Sequence, residues 1–203
     1  MTIYLYGKIV HVNTNYLILD HNGTGELIYT PKIERFKSGE NKKIFISQIV
    51  NEYSKVTYGF ESFKEMVVFE DLISLQGLGP KTAISILNVG WENVIHYVAN
   101  ENREALTQIP YVSNRIANAI ILTFKDKYIK FIAKMPEEDL AKFNNKTKQN
   151  SHLKEFEETM KMLGFKSSQI KLALDNMELS SDIEESVENA IKIISQKQNE
   201  ARV

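Results

Sequence analysis

The chain contains no cysteine, so disulfides, thiol catalysis and cysteine-ligated zinc are all excluded. No apolar run approaches the length needed to cross a bilayer. The N-terminal MTIYLYGKIVHV lacks the basic start, apolar centre and small-residue cleavage site of a signal peptide, so a cytoplasmic protein is expected. Histidines stand at 11, 21, 96 and 152 without ligand spacing, and neither a metal site nor a cofactor is expected. An excess of charge is also missing. The net charge is −1, which argues against a nucleic-acid binder that works by bulk attraction. Residues 1–62 carry 7 basic and 6 acidic groups, residues 63–134 carry 8 and 7, and residues 151–203 carry 7 and 10. Any polyanion would have to be held by placed donors and by repetition of subunits.

What is present changes character along the chain. Residues 1–62 read as β, with runs at Ile3–Val12, Tyr16–Asp20, Glu26–Thr30, Lys43–Val50 and Lys55–Phe60. The segment His21-Asn-Gly-Thr-Gly25 supplies a glycine-bearing turn. Five short strands without a long helix point to a small closed barrel such as an OB-fold, although a meander or an SH3-like barrel fits the same pattern. From Ser62 the period becomes helical, with Phe63, Met66, Val67, Phe69, Leu72, Ile73 and Leu75 on one face. Several short helices follow through residue 134. Residues 135–151 are polar and rich in asparagine and lysine, and read as a flexible linker. Residues 152–203 read as a three-helix unit, too small for a catalytic cleft and suited to docking. Its first helix should stop at Gly164, with Ser167 or Ser168 capping the second and Ser180 or Ser181 the third.

The junction of these regions holds LQGLGPKTAISIL, residues 75–87. Gly77 and Gly79 permit backbone angles costly to other residues, and Pro80 suits the first position of a helix. A helix beginning there leaves N–H groups and a partial positive charge facing bare backbone, with Lys81 adding a formal charge. That is an anion site which a phosphate can approach. Glycines chosen only to let two helices turn would give the same pattern. A Walker loop is rejected, because Pro80 stands where that motif needs glycine. The pattern recurs 34 residues on, where Ile109, Val112, Arg115, Ala117 and Ile121 match Leu75, Leu78, Lys81, Ala83 and Leu87. Two such helix–hairpin–helix units can grip a duplex backbone without base readout.

With these pieces in this order, the chain resembles the RuvA family of Holliday-junction-binding subunits in bacterial branch migration. The anchors are Tyr58-Gly-Phe60, Gly77-Leu-Gly-Pro-Lys81, Phe124-Lys-Asp-Lys-Tyr128 and Leu163-Gly-Phe165. The resemblance implies an α+β multidomain chain: an OB-like barrel at 1–62, a tandem helix–hairpin–helix domain at 63–134, the linker, and a three-helix, UBA-like docking domain at 152–203. It implies a homotetramer, single or paired as an octamer, that holds a four-way junction open. It also implies docking to the hexameric ATPase RuvB, and RuvC resolvase as a further partner. Phosphate contacts are implied at Gly77, Leu78, Gly79, Lys81 and Thr82, at Ser113, Asn114 and Arg115, and at Lys125 and Lys127. Met160, Leu163, Phe165, Leu174 and Ile191 are implied for motor docking, alongside a share in the tail's own core.

Two departures stand out. The family's second hairpin carries glycines where this chain has Tyr111 and Ser113, and left-handed backbone costs such residues about 1–2 kcal/mol each. A different, weaker second turn, leaning on Asn114 and Arg115, is therefore expected. The family's acidic pair at the junction centre is reduced to Glu52, followed by Tyr53, and an ordinary exposed turn carboxylate is the alternative. Asp126 could suggest a hairpin glycosylase, but no base-flipping pocket motif accompanies it. Trp91 and Tyr97 are expected in the core. The non-catalytic junction binder is thus set against a repair nuclease or glycosylase, and against an adaptor whose hairpins merely pack helices.

Overall fold

The structure is a computed structural model that describes residues 2–177, 180 and 182–200, so Ser181 lies outside the described residues. It divides into two compact units, residues 1–135 and 136–203.

In the first unit, strands β1 (Tyr4–Val12), β2 (Tyr16–His21), β3 (Thr24–Tyr29), β4 (Asn41–Val50) and β5 (Lys55–Phe60) close a barrel in the order β1-β2-β3-β5-β4. The pairing of β3 with β5 is parallel, with Ile28 opposite Thr57, while every other pairing is antiparallel. A meander cannot close that way, so the OB-like alternative holds. Alternate residues point inward. Ile9, Leu17, Leu19, Ile28, Ile44 and Ile46 are fully buried, and Phe36 completes the core. A Cβ on Gly59 would lie 2.3 Å from Ile28 Cγ2 and 2.7 Å from Ile44 Cγ2, so glycine lets β5 settle against its neighbours. The β2–β3 turn uses positive φ at Asn22 and Gly23, while Gly25 sits in β3.

Five helices follow in the same unit: α1 (Phe63–Ser74), α2 (Pro80–Leu87), α3 (Trp91–Ala99), α4 (Arg103–Thr107) and α5 (Asn114–Ala133). The expected boundary at residue 62 is not a break in packing. The Phe69 ring lies 5.0 Å from that of Tyr58 and 4.9 Å from that of Phe60, and Phe63 lies 5.9 Å from Phe45. Arg35 on the barrel reaches Glu65 of α1 at 3.1 Å, and Glu61 at 3.3 Å. Glu65 is almost wholly buried and also accepts the Glu61 N–H at 3.1 Å, while its own N–H is capped by Ser62 Oγ. Burial pushes the Glu65 carboxyl up, and Arg35 pulls it back only in part.

The second unit contains α6 (Glu137–Met162), α7 (Ser167–Leu174) and α8 (Ile183–Glu200). The segment expected as a linker therefore lies mostly within a helix. It holds lysine and glutamine, which favour helix, and neither glycine nor proline after Pro136. Polar composition carried no information on its backbone. Gly164 stops α6 as expected: it takes φ 89°, Phe165 N–H bonds the Met160 carbonyl at 3.1 Å, and Gly164 N–H bonds that of Lys161. Ser167 and Ser168 do not cap α7, and Ser180 does not cap α8, while Ser181 lies outside the described residues. Lys166 precedes α7, with Gln169 Oε1 accepting its N–H at 2.8 Å, and Asp182 Oδ1 accepts the Glu184 N–H at the start of α8. Ser180 instead bonds Glu185 Oε2 at 2.7 Å. Phe156, Met160, Ile170, Ala173, Ala190 and Ile194 form this unit's core.

The Arg35–Glu65 pair yields a prediction. A carboxyl whose pKa folding raises favours the native state below the ordinary glutamate value, and loses that contribution as pH rises through the folded value. Arg35→Met leaves the carboxylate buried without its cation, which should cost about 3 kcal/mol at pH 7.5. The loss should shrink at pH 4.5, where the group can be neutral. Urea melts of both proteins at the two pH values check this.

Candidate nucleic-acid interface

The first hairpin turn begins where α1 ends. Leu75 N–H bonds the Leu72 carbonyl, and Leu78 N–H bonds that of Leu75, both at 3.1 Å. Leu78 is buried, so its side chain anchors the loop, and its N–H is taken by Leu75, which corrects its expected phosphate contact. Gly77 takes φ 88°, which explains glycine there by conformation alone. Gly79 differs. Its φ of −85° and ψ of 166° suit any residue, correcting the expectation of a special angle. A Cβ built on it would meet nothing within 4 Å. Neither backbone strain nor internal packing calls for glycine at 79.

Gly79 is also the N-cap of α2, and no side chain caps that helix. The first bond of the turn runs from Ala83 N–H to the Gly79 carbonyl at 3.1 Å. Among the described residues, the N–H groups of Lys81 and Thr82 therefore have no acceptor. These are the donors of a helix start, carrying its partial positive charge. No carboxylate pairs with Lys81 among the described residues; its ammonium stands 5.2 Å from the Tyr111 ring centroid. The other helix led by a glycine, α3, shows the contrast: Gly90 takes φ 96°, and a Cβ on it would lie 3.0 Å from Lys32 Nζ, so conformation and packing account for glycine there.

The second hairpin reproduces the first in its backbone. Val112 N–H bonds the Ile109 carbonyl at 3.1 Å, and Ala117 N–H bonds that of Ser113 at 2.9 Å. Ser113 has φ −81° and ψ 163°, nearly the values of Gly79. The expectation of a different turn is thus overturned. Only Tyr111 is forced into the left-handed region, at φ 70°, because Ser113 occupies an extended position open to any residue. What differs is the chemistry at the helix start. Ser113 Oγ accepts the Ile116 N–H at 3.4 Å, taking up a donor that stays open at Thr82. Asn114 is the first residue of α5, and Arg115 beside it has no carboxylate partner among the described residues. The two hairpins touch: Ser85 Oγ donates to the Pro110 carbonyl at 3.0 Å, beside the Lys81–Tyr111 contact.

Lys125 and Lys127 stand apart from this cluster. They lie 11 and 13 residues along α5 from Asn114, about 16 and 20 Å at helical rise. Lys125 is ion-paired with Glu101, and Lys127 Nζ meets Asp71 Oδ1 at 2.5 Å. The Tyr128 hydroxyl is buried, and that burial, with the Asp71 carboxylate beside it, drives it well above the ordinary tyrosine range. Lys127 thus balances a buried carboxylate. Trp91 and Tyr97 are part-buried, Trp91 lying 6.4 Å from the Phe131 ring.

Glu52 sits at the tip of the β4–β5 hairpin. Asn51 Oδ1 fixes that tip by accepting the N–H groups of Tyr53 at 3.0 Å and Ser54 at 2.8 Å. Tyr53 projects with 93% of its surface exposed. In the tail, Met160 is fully buried and cannot meet a partner, which corrects its expected docking role: it faces inward on α6. Phe165 and Leu174 pack on the same core, while Leu163, Ile191 and the unanticipated Met162 are exposed. The ring contact of Tyr111 was also missed, although the 34-residue repeat placed a tyrosine at the glycine position of the first loop.

Residues 1–59 match the family model for the RuvA N-terminal domain, and residues 69–126 match that for a SAM-like helix-hairpin-helix tandem. The chain is 66% identical to the Holliday junction branch migration complex subunit RuvA of Metamycoplasma arthritidis, over 98% of each chain. Identity is 46% to the protein of the same name in Mesomycoplasma hyopneumoniae, over 96% of this chain and 97% of the other. It is 28% to that of Streptococcus uberis, over 94% and 97%.

The two glycines should separate in a stability measurement. Gly77→Ala forces a left-handed alanine and should cost about 1 kcal/mol. Gly79→Ala should change stability little, because its angles are ordinary and its surroundings open, and the entropy gained in the unfolded chain is offset by alanine being a poorer N-cap. Thermal melts of both variants test the assignment.

Proposed function

The chain belongs to the RuvA family, and from that membership we propose that it binds four-way DNA junctions through backbone phosphates within a branch migration complex. One observation carries the placement of the grip: Gly79 is bare where neither its angles nor its neighbours require it, at an uncapped helix start beside an unpaired lysine. A side chain there would obstruct only something from outside the chain. Gly77, Gly79, Lys81 and Thr82 form the stronger half of the grip. Asn114 and Arg115 form the weaker half, since Ser113 occupies one of its donors. Lys125 and Lys127 act at most as secondary contacts, because each must first leave a carboxylate. Glu52 supplies a single negative charge at the hairpin tip facing the crossover.

On this reading the protein works as a homotetramer in the cytoplasm and carries no catalytic step of its own. ATP hydrolysis belongs to the RuvB hexamer, and RuvC can share the junction. No helix among the described residues is long and apolar enough to cross a membrane. The exposed Leu163, Met162 and Ile191 support the tail as the RuvB-docking face.

Gel shifts with four-way, linear duplex and single-stranded DNA test the DNA reading. Gly79→Val combined with Lys81→Glu should weaken junction binding about tenfold or more, since a charge-assisted bond is worth about 1.5–3 kcal/mol. Wild-type affinity should fall with salt at a log–log slope of about −0.9 per phosphate neutralised, and Arg115→Ala should reduce that slope. Unchanged junction affinity in the double variant would falsify the assignment. For the tail, Leu163→Asp with Ile191→Asp should abolish RuvB recruitment to preformed junction complexes while leaving their formation intact. Recruitment at wild-type levels in a pull-down would remove that face from the interface.

A further inference from the structure

Tyr111 occupies, in the second hairpin, the left-handed position that Gly77 occupies in the first. A tyrosine held at φ 70° is strained, and glycine would relieve that strain. The ring does not retreat into the core; 64% of its surface is exposed. It instead crosses to the neighbouring hairpin and stands 5.2 Å from the ammonium of Lys81. The loops are tied at a second point, where Ser85 Oγ donates to the Pro110 carbonyl immediately before Tyr111.

We propose that Tyr111 is a positioning residue whose ring holds the Lys81 ammonium over the bare 77–79 backbone, so that both hairpins build one composite phosphate site. The ligand is a sugar-phosphate strand, and the proposal rests on the phosphate reading of the first loop given above. A lysine side chain has several freely rotating bonds, and fixing it on a phosphate costs conformational entropy. An aromatic face attracts the cation by its quadrupole yet leaves ammonium protons free to donate. Lys81 thus waits in a restricted set of positions beside the open N–H groups of α2. The second loop gives up part of its own cradle, through the Tyr111 side chain and the Ser113 cap, and contributes to the first loop's site instead.

The alternative is that Tyr111 only obstructs a second, independent cradle. The two predict opposite signs for one substitution. Under the proposal, Tyr111→Gly in the full-length protein weakens four-way junction binding about two- to fivefold, the range of an exposed cation–π contact. If the ring is merely an obstruction, the same variant binds more tightly, and the proposal is overturned. Tyr111→Phe keeps the ring and should bind as wild type, whereas Tyr111→Leu should resemble Tyr111→Gly. In a Lys81→Gln background the Tyr111→Leu effect should vanish; simple multiplication of the two effects would also overturn the idea.

A readout without DNA separates this proposal from the function on which it rests. In the free protein, the Lys81 Hε protons should show an upfield ring-current shift by NMR that Tyr111→Phe preserves and Tyr111→Leu removes. Lack of that shift in the wild type sinks the positioning role whatever the DNA result. If the shift is present but Gly79→Val with Lys81→Glu leaves junction binding intact, the phosphate reading fails, and the proposed site fails with it.

Discussion

A helix cannot satisfy the N–H groups of its own first turn, and everything distinctive about this chain follows from how it treats that constraint. At α1 and α4 a side chain closes the end: Ser62 accepts the Glu65 N–H and Asn102 accepts that of Ala105. At α3 the N-cap glycine takes φ 96°, and a Cβ on it would crowd Lys32 Nζ, so glycine there answers conformation and packing. At α2 the end is uncapped, and the residue that could have capped it is a glycine in an ordinary extended conformation. Serine there would adopt the same angles at no conformational cost, as Ser113 does at the equivalent place in the second hairpin. Under the proposed function, the open end is left bare for a phosphate arriving from solution.

Comparing the two hairpins shows how far a backbone shape can persist when its side chains change. The turn that glycine makes easily at 77 is made at a cost by tyrosine at 111, and the flanking hydrogen bonds are kept. The turn survives because Val112 and Leu78 are both buried and fix the loops from below. Conformation is thus set by the apolar anchors and the helices they join. Glycine at the bend is one means of meeting that demand, and the strain of tyrosine is small beside the burial that imposes it.

Much of this was legible in the sequence, for definable reasons. The strands announced themselves through runs such as Tyr16–Asp20, and the helical period from Phe63 was clear. Gly164 and Pro80 do what their covalent structures predict. The parallel β3–β5 closure was not legible, because it depends on Ile28 meeting Thr57 across 29 residues. Nor were the partners of Lys125 and Lys127, since Glu101 and Asp71 are 24 and 56 residues away. The linker expected at residues 135–151 differs in kind: polar composition carried no information on φ and ψ, and Phe143 within it is buried. Local propensity at Tyr111 suggested a broken turn, and tertiary packing prevailed over it.

These pairings also bear on how a nearly neutral protein can hold a polyanion. Residues 63–134 carry 8 basic and 7 acidic groups, and two of the basic ones are already committed to carboxylates. Such a surface has little long-range field beyond the screening length of about 8–10 Å at physiological salt. Attraction at a distance then contributes little to choosing a partner, and contact geometry contributes most. A loop with a few main-chain donors and one cation grips any phosphate weakly. Several such loops held at fixed separations grip well only when phosphates arrive with matching spacing. Under the proposed function, discrimination between a four-way junction and a linear duplex would come from that matching, and a more basic surface would blur it by holding both.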